Sequence, residues 1–103
     1  MSRIVRNQDV LWREEEETRD QAQEGLAAGE DVENLGTSIL FHNGKILSLN
    51  LLGTEIWKLC DGKTKDEVVA VIAEEFEAPT DQVDADVTAF LAELQREGFI
   101  SYE

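Results

Sequence analysis

The stretch from Leu49 to Val68 constrains the fold more than any other part of this 103-residue chain. Asn50 is a good helix N-cap, because its side-chain oxygen can accept a bond from a free amide of the first turn. The apolar residues after it recur at helical spacing until Gly62, a residue that commonly ends helices. The pattern predicts a strand end followed by a helix from about Leu51 to Asp61.

Two more helices and a strand are predicted after this glycine. Thr64 and Glu67 have the spacing of a capping box, in which each side chain bonds the other residue's free amide. This second helix ends before Pro79, because proline disfavours helix in the residue before it. The third helix carries an apolar stripe at i, i+4, i+7, i+8 and i+11, formed by Val83, Val87, Phe90, Leu91 and Leu94. Gly98 ends it, and Phe99 to Tyr102 predict a closing strand.

A β-hairpin is predicted before the helices. Asn43-Gly44 separates two apolar runs, Thr37 to His42 and Lys45 to Leu49, and this dipeptide suits a two-residue turn that needs positive φ at both positions. Within each run, alternate apolar residues share a face: Ile39 with Phe41, and Leu47 with Leu49. The alternation predicts a sheet with one side buried.

The first third of the chain differs from the rest. Residues 1–13 contain the apolar group Val10-Leu11-Trp12, which predicts a first strand. Glu14 to Asn34 holds nine acidic residues and one arginine, and its composition favours either a helix from about Glu16 to Ala28 or disorder. We therefore divide the chain into an N-terminal strand region (1–13), an acidic insertion (14–35) and a main region (36–103), within one domain overall.

The order of these elements predicts the fold class. An early strand, a tight hairpin, three helices and a terminal strand indicate an α+β fold that is winged-helix-like. In it, an N-terminal β-hairpin or three-stranded sheet precedes three helices. Turn signals, caps and apolar periodicity all agree with this arrangement.

Charge and composition limit the partners. The formal net charge is −14, which repels phosphate backbones and anionic membrane surfaces and favours basic partners. The sequence has no apolar run near the ~20 residues that a membrane span needs and no signal-like segment. We expect a soluble cytoplasmic protein that binds neither nucleic acid nor membrane.

Catalytic and metal-binding chemistry has no evident carrier in the sequence. His42 is the single histidine, and it precedes the hairpin turn without any metal-ligand spacing around it. Cys60 is the single cysteine, and no base in its helix turn would activate it, so we expect it to be buried and structural. We predict no enzyme activity, no catalytic residues, no metal site and no cofactor.

Two other function classes remain as alternatives. A winged-helix DNA-binding or regulatory protein would read DNA with its third helix, but that helix carries five acids and only Arg96 as a base. An acidic carrier protein would need a serine at the start of a helix to hold a prosthetic arm. The chain's four serines lie at a terminus or in predicted strands: Ser2, Ser38, Ser48 and Ser101.

The strand Lys45 to Leu49 could accept another chain by β-augmentation if it lies at the edge of the sheet. The sequence leaves open the alternative that the N-terminal strand covers this edge. If His42 and Lys45 close the turn as a hydrogen-bonded pair, the amides of Ile46 and Ser48 point away from the hairpin.

Two groups of residues have the order and spacing of a known family. The first is Leu49-Asn50, Gly53, Ile56-Trp57, Leu59-Cys60-Asp61-Gly62, Thr64 and Glu67-Val68. The second is Asp86-Val87, Phe90-Leu91, Leu94 and Gly98-Phe99-Ile100. With these residues, the chain from about Gly36 to Tyr102 resembles the PqqD-like family, which belongs to the RiPP recognition elements.

This resemblance implies a non-catalytic protein that captures the leader of a ribosomally made precursor peptide by β-strand addition. It also implies presentation of that peptide to a radical-SAM maturase, often with a SPASM extension, and the GeoRSP-type branch looks most similar. The leader would lie on the edge strand and against the third helix. The residues so implied are Lys45, Ile46, Leu47, Ser48, Leu49, Asp84, Val87, Thr88, Leu91 and Gln95.

Overall fold

The computed structural model of the chain describes residues 2–29 and 36–103. In chain order its elements are β1 (Ile4–Arg6), β2 (Leu11–Glu14), α1 (Glu16–Ala27), β3 (Ser38–His42), β4 (Lys45–Leu49), α2 (Leu51–Leu59), α3 (Lys65–Glu75), α4 (Thr80–Arg96) and β5 (Ile100–Tyr102). Antiparallel strands combine with helices, so the predicted α+β class is confirmed. The finer winged-helix likeness stays a prediction.

The chain forms two compact units. The helical unit comprises Met1–Gln8 and Ile56–Glu103, and the sheet unit comprises Asp9–Glu55. The boundary falls inside α2, between Glu55 and Ile56.

The helical unit contains α3, α4 and a two-stranded sheet in which β1 pairs with β5, with Ile4 opposite Tyr102 and Arg6 opposite Ile100. The predicted apolar stripe of α4 is buried at Val83, Val87, Leu91 and Leu94, while Phe90 is half-buried. The other buried apolar residues of this unit are Ile4, Ile56, Trp57, Cys60, Val68, Val69, Ile72, Phe99 and Ile100. The helical periodicity in the sequence therefore marked the core of this unit correctly.

Helix ends in this unit follow the predicted signals. The amide of Glu67 donates to the Thr64 hydroxyl at 3.2 Å, and the amide of Thr64 donates to the Glu67 carboxylate at 3.0 Å, which completes the capping box. These two bonds satisfy amides that the first turn of α3 leaves free. Gly62, between α2 and α3, has φ +79°, a conformation that glycine adopts without strain.

The sequence pattern did not reveal β1. Its three residues are too few to show a period, and it forms because β5 offers an antiparallel partner. Two bonds hold the segment further: the amide of Ile4 donates to the Lys63 carbonyl at 2.8 Å, and the Asn7 side chain donates to the Gly98 carbonyl at 3.0 Å.

The sheet unit is built on three antiparallel strands in the order β2-β3-β4. The predicted first strand is present as β2, although Val10 lies just before it. The helical alternative for the acidic segment is confirmed over α1, where Ala22 is buried, and Gly29 after it has φ +82°. The rest of that segment, residues 30–34, lies outside the described residues.

Candidate functional site

The turn between β3 and β4 fixes the geometry of the hairpin. Asn43 has φ +53° and Gly44 has φ +80°, the pair of positive angles of a type I′ turn, and His42 lies opposite Lys45. The predicted hairpin and its register are therefore confirmed.

This register sets the direction of the main-chain groups along β4. The pair that closes a two-residue turn exchanges both hydrogen bonds, and bonded and non-bonded pairs then alternate. Ile46 opposite Phe41 and Ser48 opposite Ile39 fall at the non-bonded positions, so their amides point away from β3. Within residues 2–29 and 36–103, no hydrogen-bond acceptor contacts either of these two amides.

The sheet order leaves β4 at an edge of the described sheet. β2 pairs with β3, with Leu11 opposite Phe41 and Arg13 opposite Ile39. The alternative that the N-terminal strand covers β4 is therefore wrong, because that strand occupies the other side of β3. An edge strand with outward amides can accept an extended chain.

One face of the sheet is buried and the other is exposed. Leu40 and Leu49 are buried and Leu47 is half-buried, whereas Ile39, Phe41 and Ile46 are exposed. The sequence grouped these residues correctly by face but did not tell which face packs inside. Successive side chains of a strand point to opposite faces of the sheet. Because Leu49 is buried, Ile46 and Ser48 therefore lie on the exposed face.

The end of β4 is anchored by buried hydroxyl groups. Thr54, in α2, bonds through its Oγ1 to the hydroxyls of Thr37 at 2.5 Å and Ser38 at 2.7 Å, and all three residues are fully buried. Ser38 lies opposite Leu49, and the Thr37 amide donates to the Leu49 carbonyl at 2.7 Å. These bonds hold the last residue of β4 in place.

The start of α2 adds a second anchor to the same end. The side chain of Asn50 accepts from the amide of Gly53 at 2.9 Å, which confirms the predicted N-cap. Strand β4 is therefore held at one end by its turn and at the other by the buried hydroxyls and the cap.

The residues implied on α4 divide into two groups. Val87 and Leu91 are 0% and 1% exposed, so their side chains belong to the core of the helical unit. Asp84, Thr88 and Gln95 are exposed. Lys65 pairs with Asp84 at 3.2 Å, and the Thr88 hydroxyl donates to the same carboxylate at 3.3 Å. The exposed residues are the part of α4 that a ligand can reach.

The two residues considered for catalysis have ordinary structural settings. Cys60 is fully buried, and burial raises the pKa of its thiol to about 11, with the charge of Arg6 opposing the shift and that of Asp61 adding to it. The predicted buried cysteine is confirmed. His42 is half-buried beside the turn. No group of three or more His, Cys, Asp or Glu residues within the described ranges could hold a metal ion.

Together these features define a class: an α+β protein with an anchored edge strand whose amides face outward. A model of the family described as coenzyme PQQ synthesis protein D (PqqD) matches residues 23–100. The chain belongs to the PqqD family, because the match covers more than half of it, and the predicted resemblance is confirmed.

The family fixes the function at a coarse level. PqqD proteins are peptide-binding chaperones in the biosynthesis of PQQ and RiPPs, and they form an accessory family without catalysis of its own. They bind precursor peptides and partner biosynthetic enzymes. No curated protein and no solved structure matches the chain significantly.

One general property can be read from the described helices. None of those in residues 2–29 and 36–103 has both the length and the apolar character needed to cross a membrane.

Two features of the site have no signal in the local sequence. One is the cluster formed by Thr37, Ser38 and Thr54, which no local pattern connects because Thr54 is distant in sequence from the other two. The other is the exposed position of Leu11 beside Phe41. The alternation in each strand was visible, but the pairing of β2 with β3 was not.

Proposed function

We propose that this protein captures a precursor peptide as an additional antiparallel strand on β4 and presents it to a radical-SAM maturase. The observation that carries the proposal is the pair of outward amides at Ile46 and Ser48 on an anchored edge strand. The segment from Lys45 to Leu49 supplies the main-chain contacts, which give affinity in β-augmentation.

Side chains supply the choice of peptide. Main-chain bonds alone do not select a sequence, so selectivity comes from side-chain contacts. The family resemblance implies such contacts on α4, and there we propose Asp84, Thr88 and Gln95, which are exposed. Val87 and Leu91 are buried, and we propose that they support this helix from the core of the helical unit. The net charge of −14 favours a peptide with lysine or arginine, captured at a rate that falls as salt rises.

The partner enzyme is proposed from the family. PqqD proteins work with partner biosynthetic enzymes, and we propose a radical-SAM enzyme with a SPASM extension, in a system of the GeoRSP type.

The two alternative functions lack a comparable feature. Helix α4 exposes Asp81, Asp84, Asp86 and Glu93, which would repel a DNA backbone. A carrier protein needs a serine at the start of a helix, whereas Ser38, Ser48 and Ser101 lie in strands and Ser2 precedes β1.

The test is peptide binding to a strand whose outward amide has been removed. Peptides are selected on the full chain from a phage-displayed library of random twelve-residue sequences, and their affinities are measured by fluorescence polarisation. Ser48→Pro removes one outward donor without touching a bond to β3, because proline is tolerated on edge strands. Ser48→Ala is the matched control, since it removes the hydroxyl and keeps the amide.

We expect Ser48→Pro to weaken binding at least tenfold and Ser48→Ala to leave it nearly unchanged, with both variants folded by circular dichroism. In an NMR titration with a selected peptide, the amide signals of Ile46 and Ser48 should shift. Equal affinity of the proline and alanine variants for every selected peptide would refute the proposal.

A further inference from the structure

The exposed face of the sheet carries an apolar row that runs across all three strands. Leu11 lies opposite Phe41, and Phe41 lies opposite Ile46, so the three side chains are neighbours on one face. Their exposed fractions are 68%, 44% and 72%. We call Leu11, Phe41 and Ile46 the apolar row.

The positions next to the row on the same face include one charged residue, an arginine that is paired with a glutamate. The neighbouring positions on the same face are Arg13, Ile39 and Ser48, and Arg13 is paired with Glu15 at 2.6 Å. A shallow depression of about 270 Å³ lies here, lined by Leu11, Trp12, Arg13, Ile39 and Phe41. In a chain of net charge −14, this face has no carboxylate in either row.

The row ends at β4, the strand whose amides at Ile46 and Ser48 point away from β3. Ile46 is the most exposed of the three residues, and its outward amide lies on the edge of β4. A strand added there would place one side chain directly beyond Ile46 on the same face, because cross-strand neighbours continue from strand to strand. An extended peptide therefore reaches the row and the amides together.

We propose that the bound peptide carries a large apolar residue, aromatic or β-branched, at the position that exchanges main-chain hydrogen bonds with Ile46. Its side chain becomes the fourth member of the apolar row and covers Ile46. The inference rests on the proposed function, since it assumes that the peptide pairs with β4, and it adds the chemistry by which the peptide is chosen.

The geometry also limits the next positions of the peptide. The residue two places along on the same face lies beside Ser48, which continues the row of Arg13 and Ile39 and is polar. A small or polar peptide residue fits this position. An antiparallel peptide runs in the direction opposite to β4, so its residue beside Ser48 comes two positions before the residue opposite Ile46. The expected motif is thus a small or polar residue and, two positions later, one large apolar residue.

The first measurement is the composition of peptides selected on the full chain from the random twelve-residue phage library. NMR contacts across the strand pair identify the peptide residue opposite Ile46. We expect that position to be enriched in aromatic and β-branched residues. A position that selects polar residues as often as the starting library would overturn the inference.

The second measurement is a double-mutant cycle with one selected peptide. Ile46→Thr keeps a β-branched residue and its amide but shortens the apolar side chain, and the peptide's apolar residue is replaced by serine. Each change should weaken binding by about three- to tenfold, and the two together should cost less than the product of the single effects. Leu26→Ser is the control, because Leu26 is 42% exposed but lies on α1.

The outcomes separate the inference from the proposed function. Binding that is lost in Ser48→Pro but unaffected by Ile46→Thr would overturn the apolar selection and leave strand addition standing. If neither Ser48→Pro nor Ile46→Thr changes the affinity for the peptide, both proposals are overturned. Analytical ultracentrifugation of the peptide-free chain tests whether it dimerises. A dimer that Ile46→Thr abolishes would show that the apolar row binds a second copy of the chain, and this result would also overturn the inference.

Discussion

The two units of this protein use their apolar residues in opposite ways. All the large apolar residues that stand exposed in the described chain belong to the sheet unit: Leu11, Trp12, Leu26, Ile39, Phe41 and Ile46. The helical unit buries the whole apolar stripe of α4, apart from the half-buried Phe90.

This difference separates stability from binding. A core residue contributes through the apolar area that it removes from water, whereas an exposed apolar residue keeps that contribution available for a partner. The sheet unit instead fixes its edge strand with a tight turn and with the buried hydroxyls of Thr37, Ser38 and Thr54. The turn and the buried hydroxyls stabilise the sheet while the side chains of Ile39, Phe41 and Ile46 stay exposed on its other face.

The largest expected effect on the free energy of unfolding comes from a leucine-to-alanine substitution, which we compare between the two units. Leu94 is fully buried in the helical unit and Leu11 is 68% exposed in the sheet unit. Leu94→Ala should lower the free energy of unfolding by about 2–5 kcal/mol, because it leaves a cavity. Leu11→Ala should change it by no more than about 0.5 kcal/mol. Urea unfolding measures both, and similar losses would break the comparison.

The second prediction concerns the buried hydroxyls of the sheet unit. Thr54→Val has nearly the same shape but leaves the Thr37 and Ser38 hydroxyls without this partner. We expect a loss of about 1–3 kcal/mol in urea unfolding, because buried polar groups would be unsatisfied. Thr88→Val, at an exposed position on α4, is the control and should cost little. A neutral Thr54→Val would show that the cluster does not anchor β4.

The third prediction tests the cap of α3. Thr64→Ala removes the hydroxyl that accepts from the Glu67 amide and should cost about 1 kcal/mol. Thr80→Ala, exposed in the first turn of α4, serves as a matched control with a smaller effect. Thermal unfolding of both variants checks the difference, and equal midpoints would contradict it.

The smallest effect is a pH dependence at the same cap. The Thr64 amide and hydroxyl, with the charges of Arg3 and Lys63, hold the pKa of the exposed Glu67 below its ordinary value of 4.5. Because the folded pKa is depressed, the stabilisation is present above about pH 4.5 and is lost as pH falls through the folded pKa. The stability gap between wild type and Glu67→Gln should therefore narrow in acid. If the difference in stability between wild type and Glu67→Gln does not change with pH, the depressed pKa of Glu67 does not stabilise the fold.

Local signals in the sequence predicted much of the fold and the backbone of the site. The Asn43-Gly44 turn, the Asn50 cap, the capping box and the stripe of α4 are all present where they were expected. Each depends on residues within a few positions of one another, so a local pattern records it. The edge position of β4 was left open because it depends on a strand more than thirty residues away.

The sequence by itself determined α2, α3 and α4, the hairpin register and the acidic charge, because propensity, turn chemistry and composition are local or additive. Only the tertiary structure decided that β2 pairs with β3, that β1 joins β5, and that Ile39, Phe41 and Ile46 face outward. Alternation in a strand defines two faces without choosing between them. That choice follows from packing, and here the burial of Leu40 and Leu49 makes it.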